Sequence, residues 1–140
     1  MGIERDYIMR QLMMLFEMVS RIFRYRRKGE KRKAFDEISR FYNVLNIDAD
    51  VRKLDIEDLV RLLVDNKKLT NEHIEMVAYV LKEQGELEEN VDQKIDFFRK
   101  SYFLLDKVDR ESVTFSMDRQ MKIAELRQFI NRRASTTTNN

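Results

Sequence analysis

Proline is absent from this chain of 140 residues, and glycine occurs only at positions 2, 29 and 85, so the punctuation that β-turns and hairpins require is missing. Long uninterrupted helices are what such a chain can build. Hydrophobic residues at 43% and charged residues at 37% support a packed core beneath an ionic surface. One domain, residues 1–133, is expected, because domains usually run to about 100–200 residues. The stretch Ala134-Ser-Thr-Thr-Thr-Asn-Asn140 has no apolar periodicity, which predicts a disordered tail over 134–140.

Cysteine is also absent, which excludes disulfides, thiolate metal sites and cysteine nucleophiles and fits a reducing compartment. Charges at Glu4, Arg5, Asp6, Arg10 and Glu17 interrupt any signal peptide, and no apolar run reaches the roughly 18 residues of a membrane span. Asp6 stands where the myristoylation pattern wants Ser or Thr. A cytoplasmic protein is expected.

Hydrophobic spacing predicts an all-α, single-domain bundle of about six helices arranged as antiparallel hairpins. In the first helix, Glu4 to Arg26, Ile8, Leu12, Leu15, Phe16, Val19, Ile22 and Phe23 fall within about 120° of a helical wheel and predict the core stripe. Met9 and Met13 flank that stripe on one side, Met14 and Met18 on the other. So apolar a helix needs more cover than an ordinary surface helix, and Met14 and Met18 are the flank most in want of a partner.

A second helix carries Phe35, Ile38, Tyr42 and Leu45, and a loop follows at Asn46. Asp55 predicts the N-cap of a short third helix, and Thr70 that of a fourth with Ile74, Val77, Ala78 and Leu81 as its apolar face. Gly85 is expected as the C′ residue ending that helix. Val91, Ile95, Phe98, Tyr102 and Leu105 form the stripe of a fifth helix. Ser112 or Ser116 caps the last, whose two partial faces (Met117, Met121, Ala124; and Ile123, Leu126, Ile130) suggest packing from both sides.

Chemistry-bearing motifs are sparse. Asp48 and Asp50 begin like a calcium loop, but Arg52, Lys53 and Leu59 replace a ligand, the turn glycine and the bidentate glutamate. The single histidine, His73, has Val77 where a zinc-binding partner would stand, which predicts a surface histidine. Three dispersed glycines allow no phosphate loop, and Arg132-Arg-Ala-Ser135 is a commonplace kinase-site match. No catalytic residue, metal site or cofactor is predicted.

Charge is segregated: residues 21–33 sum to +7 and the rest of the chain to −5. Arg24, Arg26, Arg27, Lys28, Lys31, Arg32 and Lys33 are candidates for contact with nucleic acid phosphates or an anionic membrane surface, or form a solvated bend whose cations complement the helix C-terminus.

The segments Asp6-Tyr-Ile-Met-Arg-Gln, Leu69-Thr-Asn-Glu, Leu81-Lys-Glu-Gln-Gly-Glu and Ser112-Val-Thr-Phe-Ser-Met-Asp-Arg together resemble an uncharacterised bacterial family of all-helical proteins. The paired stripes of the fourth and fifth helices look like tetratricopeptide hairpins, without the Trp, Gly and Pro of that repeat. This resemblance implies a tetratricopeptide-like fold in a bacterial cytoplasmic protein and carries no activity or ligand. The reading is a non-enzymatic module that binds a protein or peptide partner and self-associates through the first helix. The alternative is a polyanion binder acting through residues 24–33.

Overall fold

The computed structural model describes the backbone of residues 2–138 and the side chains of residues 4–132. Among these residues all regular structure is helical: α1 (Gly2–Arg27), α2 (Lys31–Val44), α3 (Ile56–Val60) running into a π-helical turn (Arg61–Asn66), α4 (Asn71–Leu87), α5 (Val91–Glu111) and α6 (Met117–Thr138). No described helix is long and apolar enough to cross a membrane. Two compact units divide the chain, Met1–Ala49 and Asp50–Asn140.

In the first unit α1 ends in a Schellman motif. The Glu30 amide donates to the Tyr25 carbonyl at 2.8 Å and the Gly29 amide to Arg26 at 3.0 Å, with Gly29 at φ +76°. A side chain at position 29 would strain that left-handed backbone. The turn sends α2 back along α1. A second such motif closes α2, with Asn46 at φ +56° and the Ile47 amide donating to Tyr42 at 3.0 Å, and it buries Ile47.

The second unit is built on the α4–α5 hairpin. Thr70 caps α4 by accepting from the His73 amide, and Asn90 caps α5 by accepting from Gln93 at 3.0 Å. Asp55 caps α3 through the Asp58 amide at 2.8 Å. Ile74, Val77, Ala78 and Leu81 are buried as their spacing predicts, as are Ile95, Phe98 and Leu105.

Gly85 departs from its expected place. It lies inside α4, which continues to Leu87, and an added Cβ would stand 2.6 Å from Phe98 Cε1 and 3.2 Å from Phe97 Cβ. It therefore allows α5 to approach α4 and ends nothing. The same crossing holds Ser101, whose hydroxyl donates to the buried Ala78 carbonyl at 2.6 Å.

Ser116, of the two capping candidates, caps α6 by accepting from the Arg119 amide at 3.2 Å. α6 packs through one face, where Arg119, Ile123 and Leu126 are buried and Phe129 stacks on Phe98 at 4.9 Å between ring centroids. Met117, Met121 and Ala124 are exposed, so packing from two sides does not occur among the described residues. Helical backbone continues through 134–138, five residues into the stretch expected to be disordered, because extending an existing helix costs little per residue. Positions 139 and 140 of that stretch lie outside the described residues.

Candidate interaction surface

Among the described residues of α1, Leu15, Met18 and Ile22 are buried. Their direction is fixed by an ion-pair cluster with α2, in which buried Glu37 accepts from Arg21 Nε at 2.7 Å and from Arg40 Nη1 at 2.6 Å. Burial alone would raise the Glu37 carboxyl, but the hydrogen bonds and charges of Arg21 and Arg40 outweigh it and hold it below the ordinary carboxylate value. Met14, Met18, Arg21 and Tyr25 of α1 line an open groove of about 570 Å³ with Glu37, Arg40, Asn43 and Val44 of α2. The α2-facing side of α1 is thus the Leu15, Met18, Ile22 side.

This placement corrects two expectations. Met18, a candidate partner contact, is a core residue at 4% exposure, although it lines the groove beside Met14. Phe16 and Phe23, placed in the core stripe by their spacing, are exposed. The true core face is rotated toward Met18, because α2 docks there and brings Glu37 to Arg21. Met14 remains a half-exposed rim residue of the groove.

What α1 leaves uncovered is a different strip. Met9 (52% exposed), Met13 (63%), Phe16 (57%) and Phe23 (41%) follow one another up the helix, roughly 140° around from the buried face at 3.6 residues per turn. Tyr7 and Ile8 are exposed too but lie off this strip, Tyr7 on roughly the opposite side of the helix. Helical spacing alone makes both methionines flanks and both phenylalanines core. No spacing signal singles them out, because Leu15, Met18 and Ile22 recur at the same steps of three and four.

The basic segment lies at the end of this helix and in the turn after it. Arg24, Arg27, Lys28, Lys31, Arg32 and Lys33 are exposed and Arg26 is half-buried. Several are engaged within the unit: the Arg26 and Arg27 guanidiniums lie 5.4 and 5.5 Å from the Phe23 ring centroid, and Lys33 pairs with Glu30 at 3.2 Å and faces the Tyr25 ring. The segment is both a set of helix C-terminal cations and a charged border to the apolar strip.

The second unit holds its polar side chains in structural roles. Buried Arg119 donates to Asp109 Oδ1 (3.0 Å), Glu75 Oε2 (3.2 Å) and the Thr114 carbonyl (2.9 Å), and Glu75 also accepts from the Tyr79 hydroxyl at 2.6 Å. Burial, then the Glu75 hydrogen bond, push the Tyr79 phenol up. His73 is buried, contrary to the expected surface position, with Nδ1 at 2.7 Å from the Thr70 hydroxyl, and desolvation lowers its pKa. Asp50, the third position of the calcium-like loop, is held by the Arg52 guanidinium at 3.0 and 3.2 Å.

Among the described residues no group of three or more His, Asp or Glu could hold a metal ion. An open groove of about 440 Å³ between α5 and α6 is walled by Tyr102, Phe103 and Ile130 with Arg99 and Arg127 at its edge. Arg127 donates to the Tyr102 hydroxyl at 3.2 Å. Nothing in that groove forms a nucleophile–base pair.

No protein-family model matches this chain, and neither a curated protein nor a solved structure is significantly similar to it.

Proposed function

We propose that this protein is a non-enzymatic interaction module whose α1 docks on a protein partner. The observation that carries the reading is the exposed strip Met9, Met13, Phe16 and Phe23. Aromatic and methionine side chains in a row on a rigid helix, bordered by arginines, have the make-up of an interface core and rim. Methionine adapts to the shape that it meets. A cytoplasmic setting, and kinship with the all-helical, tetratricopeptide-like family that the sequence resembles, belong to this proposal.

Photo-crosslinking in cells tests it. A photoreactive residue at position 13 or 16 gives protein adducts that Phe23→Glu abolishes, while the same residue at exposed position 57 gives none. Absence of adducts from 13 and 16 would overturn the reading.

One observation favours a second reading. Arg24, Lys28 and Arg32 are exposed and have no ion-pair partner among the described residues, which suits a polyanion such as nucleic acid or an anionic membrane surface. Retention on heparin above about 0.15 M salt, lost when Arg26, Arg27, Lys28, Arg32 and Lys33 become Gln, supports it. Elution below that salt concentration sinks it.

A further inference from the structure

We infer that the partner of the exposed α1 strip is a second copy of this chain, packed antiparallel on it in one register. The inference rests on the interaction reading above and names its partner.

Positions 9, 13, 16, 20, 23 and 27 alternate steps of four and three, the repeat of a coiled-coil seam, and hold Met, Met, Phe, Ser, Phe and Arg. Asp6, exposed, precedes them in the same repeat. The seam lies on the side of α1 away from Leu15, Met18 and Ile22, so a second helix can lie along it without disturbing α2. Leu12 and Val19, half-buried on one flank, widen the apolar surface, and Arg10, Glu17 and Arg24, all exposed, form the other flank.

Charge decides the direction. A parallel, in-register pair would set Asp6 against Asp6, Arg27 against Arg27, and Arg5 against Arg10. In the antiparallel pair centred between Met13 and Phe16, Met13 meets the partner's Phe16 and Met9 meets the partner's Ser20. Asp6 then meets the partner's Phe23, the ring over which Arg26 and Arg27 lie. Arg10 flanks the partner's Glu17, and twofold symmetry repeats that pair. The one like-charge approach, Arg5 near the partner's Arg26, has Asp6 beside it. Arg10 and Glu17 thus meet opposite charges, and Asp6 lies beside the partner's Arg26 and Arg27 over the Phe23 ring.

The symmetric Arg10–Glu17 pair makes the register testable on the full chain by sedimentation across a concentration series. Wild type is expected to form a dimer that dissociates on dilution, as suits a contact made by one helix pair. Arg10→Glu and Glu17→Arg each place like charges together twice and are expected to weaken the dimer at least tenfold. The double variant, Arg10→Glu with Glu17→Arg, restores it. Both positions are exposed, so circular dichroism should show all three variants folded.

Because the chain has no cysteine, oxidation reads the register directly. Met9→Cys with Ser20→Cys gives a covalent dimer, whereas Ser20→Cys alone does so only in a parallel pair. A monomer at every concentration overturns the inference, as does a dimer indifferent to Arg10→Glu or one that Ser20→Cys alone crosslinks. A monomer that still gives protein adducts from positions 13 and 16 leaves the interaction reading standing with a different partner. A monomer that gives none and floats with phosphatidylserine vesicles defeats both.

Discussion

Gly85 and Phe98 approach so closely that a β-carbon on the glycine would stand 2.6 Å from the ring carbon Cε1. Phe98 cannot give way easily: it is buried, and its ring stacks on Phe129. Gly85→Ala gains up to about 1 kcal/mol of helix propensity, but overpacking this crossing costs roughly 1–3 kcal/mol. The net expectation is a less stable protein, read as a lower urea midpoint. An unchanged or raised midpoint would mean that α4 and α5 separate at little cost.

Arg119 joins α6 to Glu75 of α4 and Asp109 of α5, with 4% of its side chain exposed. Arg119→Gln is expected to lower stability by about 2–4 kcal/mol, less than for a fully buried pair because Asp109 still meets solvent. A hydrogen bond from Gln120, then one from Arg119, hold the Asp109 carboxyl below its ordinary value. Its contribution is therefore present above the unfolded carboxylate pKa and lost as pH falls through the folded one. Urea midpoints measured from neutral pH downward should fall less steeply in the variant than in wild type.

His73 gives a second pH dependence with its own window. Desolvation, only partly offset by the charge of Glu72, lowers its pKa, so below the ordinary value of about 6.5 the unfolded chain binds a proton that the folded one resists. Stability is full above that value and declines as pH drops toward the folded pKa. His73→Gln should flatten the change in urea midpoint between about pH 8 and pH 5.5. An equal slope in both proteins would remove His73 as its source.

Lys100 is a buried amine that holds neighbouring backbone in place. Its Nζ donates to the Val51 carbonyl at 2.9 Å and the Arg52 carbonyl at 3.4 Å, and pairs with Asp96 at 2.6 Å. Lys100→Met keeps the length and removes the donors, at an expected cost of about 1–3 kcal/mol. Trypsin should then cleave after Arg52 or Lys53 faster than in wild type. Unchanged cleavage would show that the 51–53 turn holds without the lysine.

Much of this architecture is legible from local rules. The lack of proline and scarcity of glycine force helices, and Asp55 and Thr70 act as caps because a side-chain oxygen beside free amides needs only its own neighbours. The α4 stripe follows from apolar residues at helical spacing, although Val80 and Leu87 outside it are buried as well. Tertiary structure alone decides the rest. α1 is apolar around most of its circumference, so the wheel offers several core faces of similar merit; docking of α2, fixed by Glu37 between Arg21 and Arg40, chooses the one holding Met18 and leaves Phe16 and Phe23 outside. Gly85 near the end of a pattern looks like a terminator until Phe98 is placed against it, and His73 looks like a surface residue until its surroundings close over it. Caps and periodicities are set by residues a few positions apart, whereas burial depends on which distant helix arrives, and spacing within one helix does not encode that.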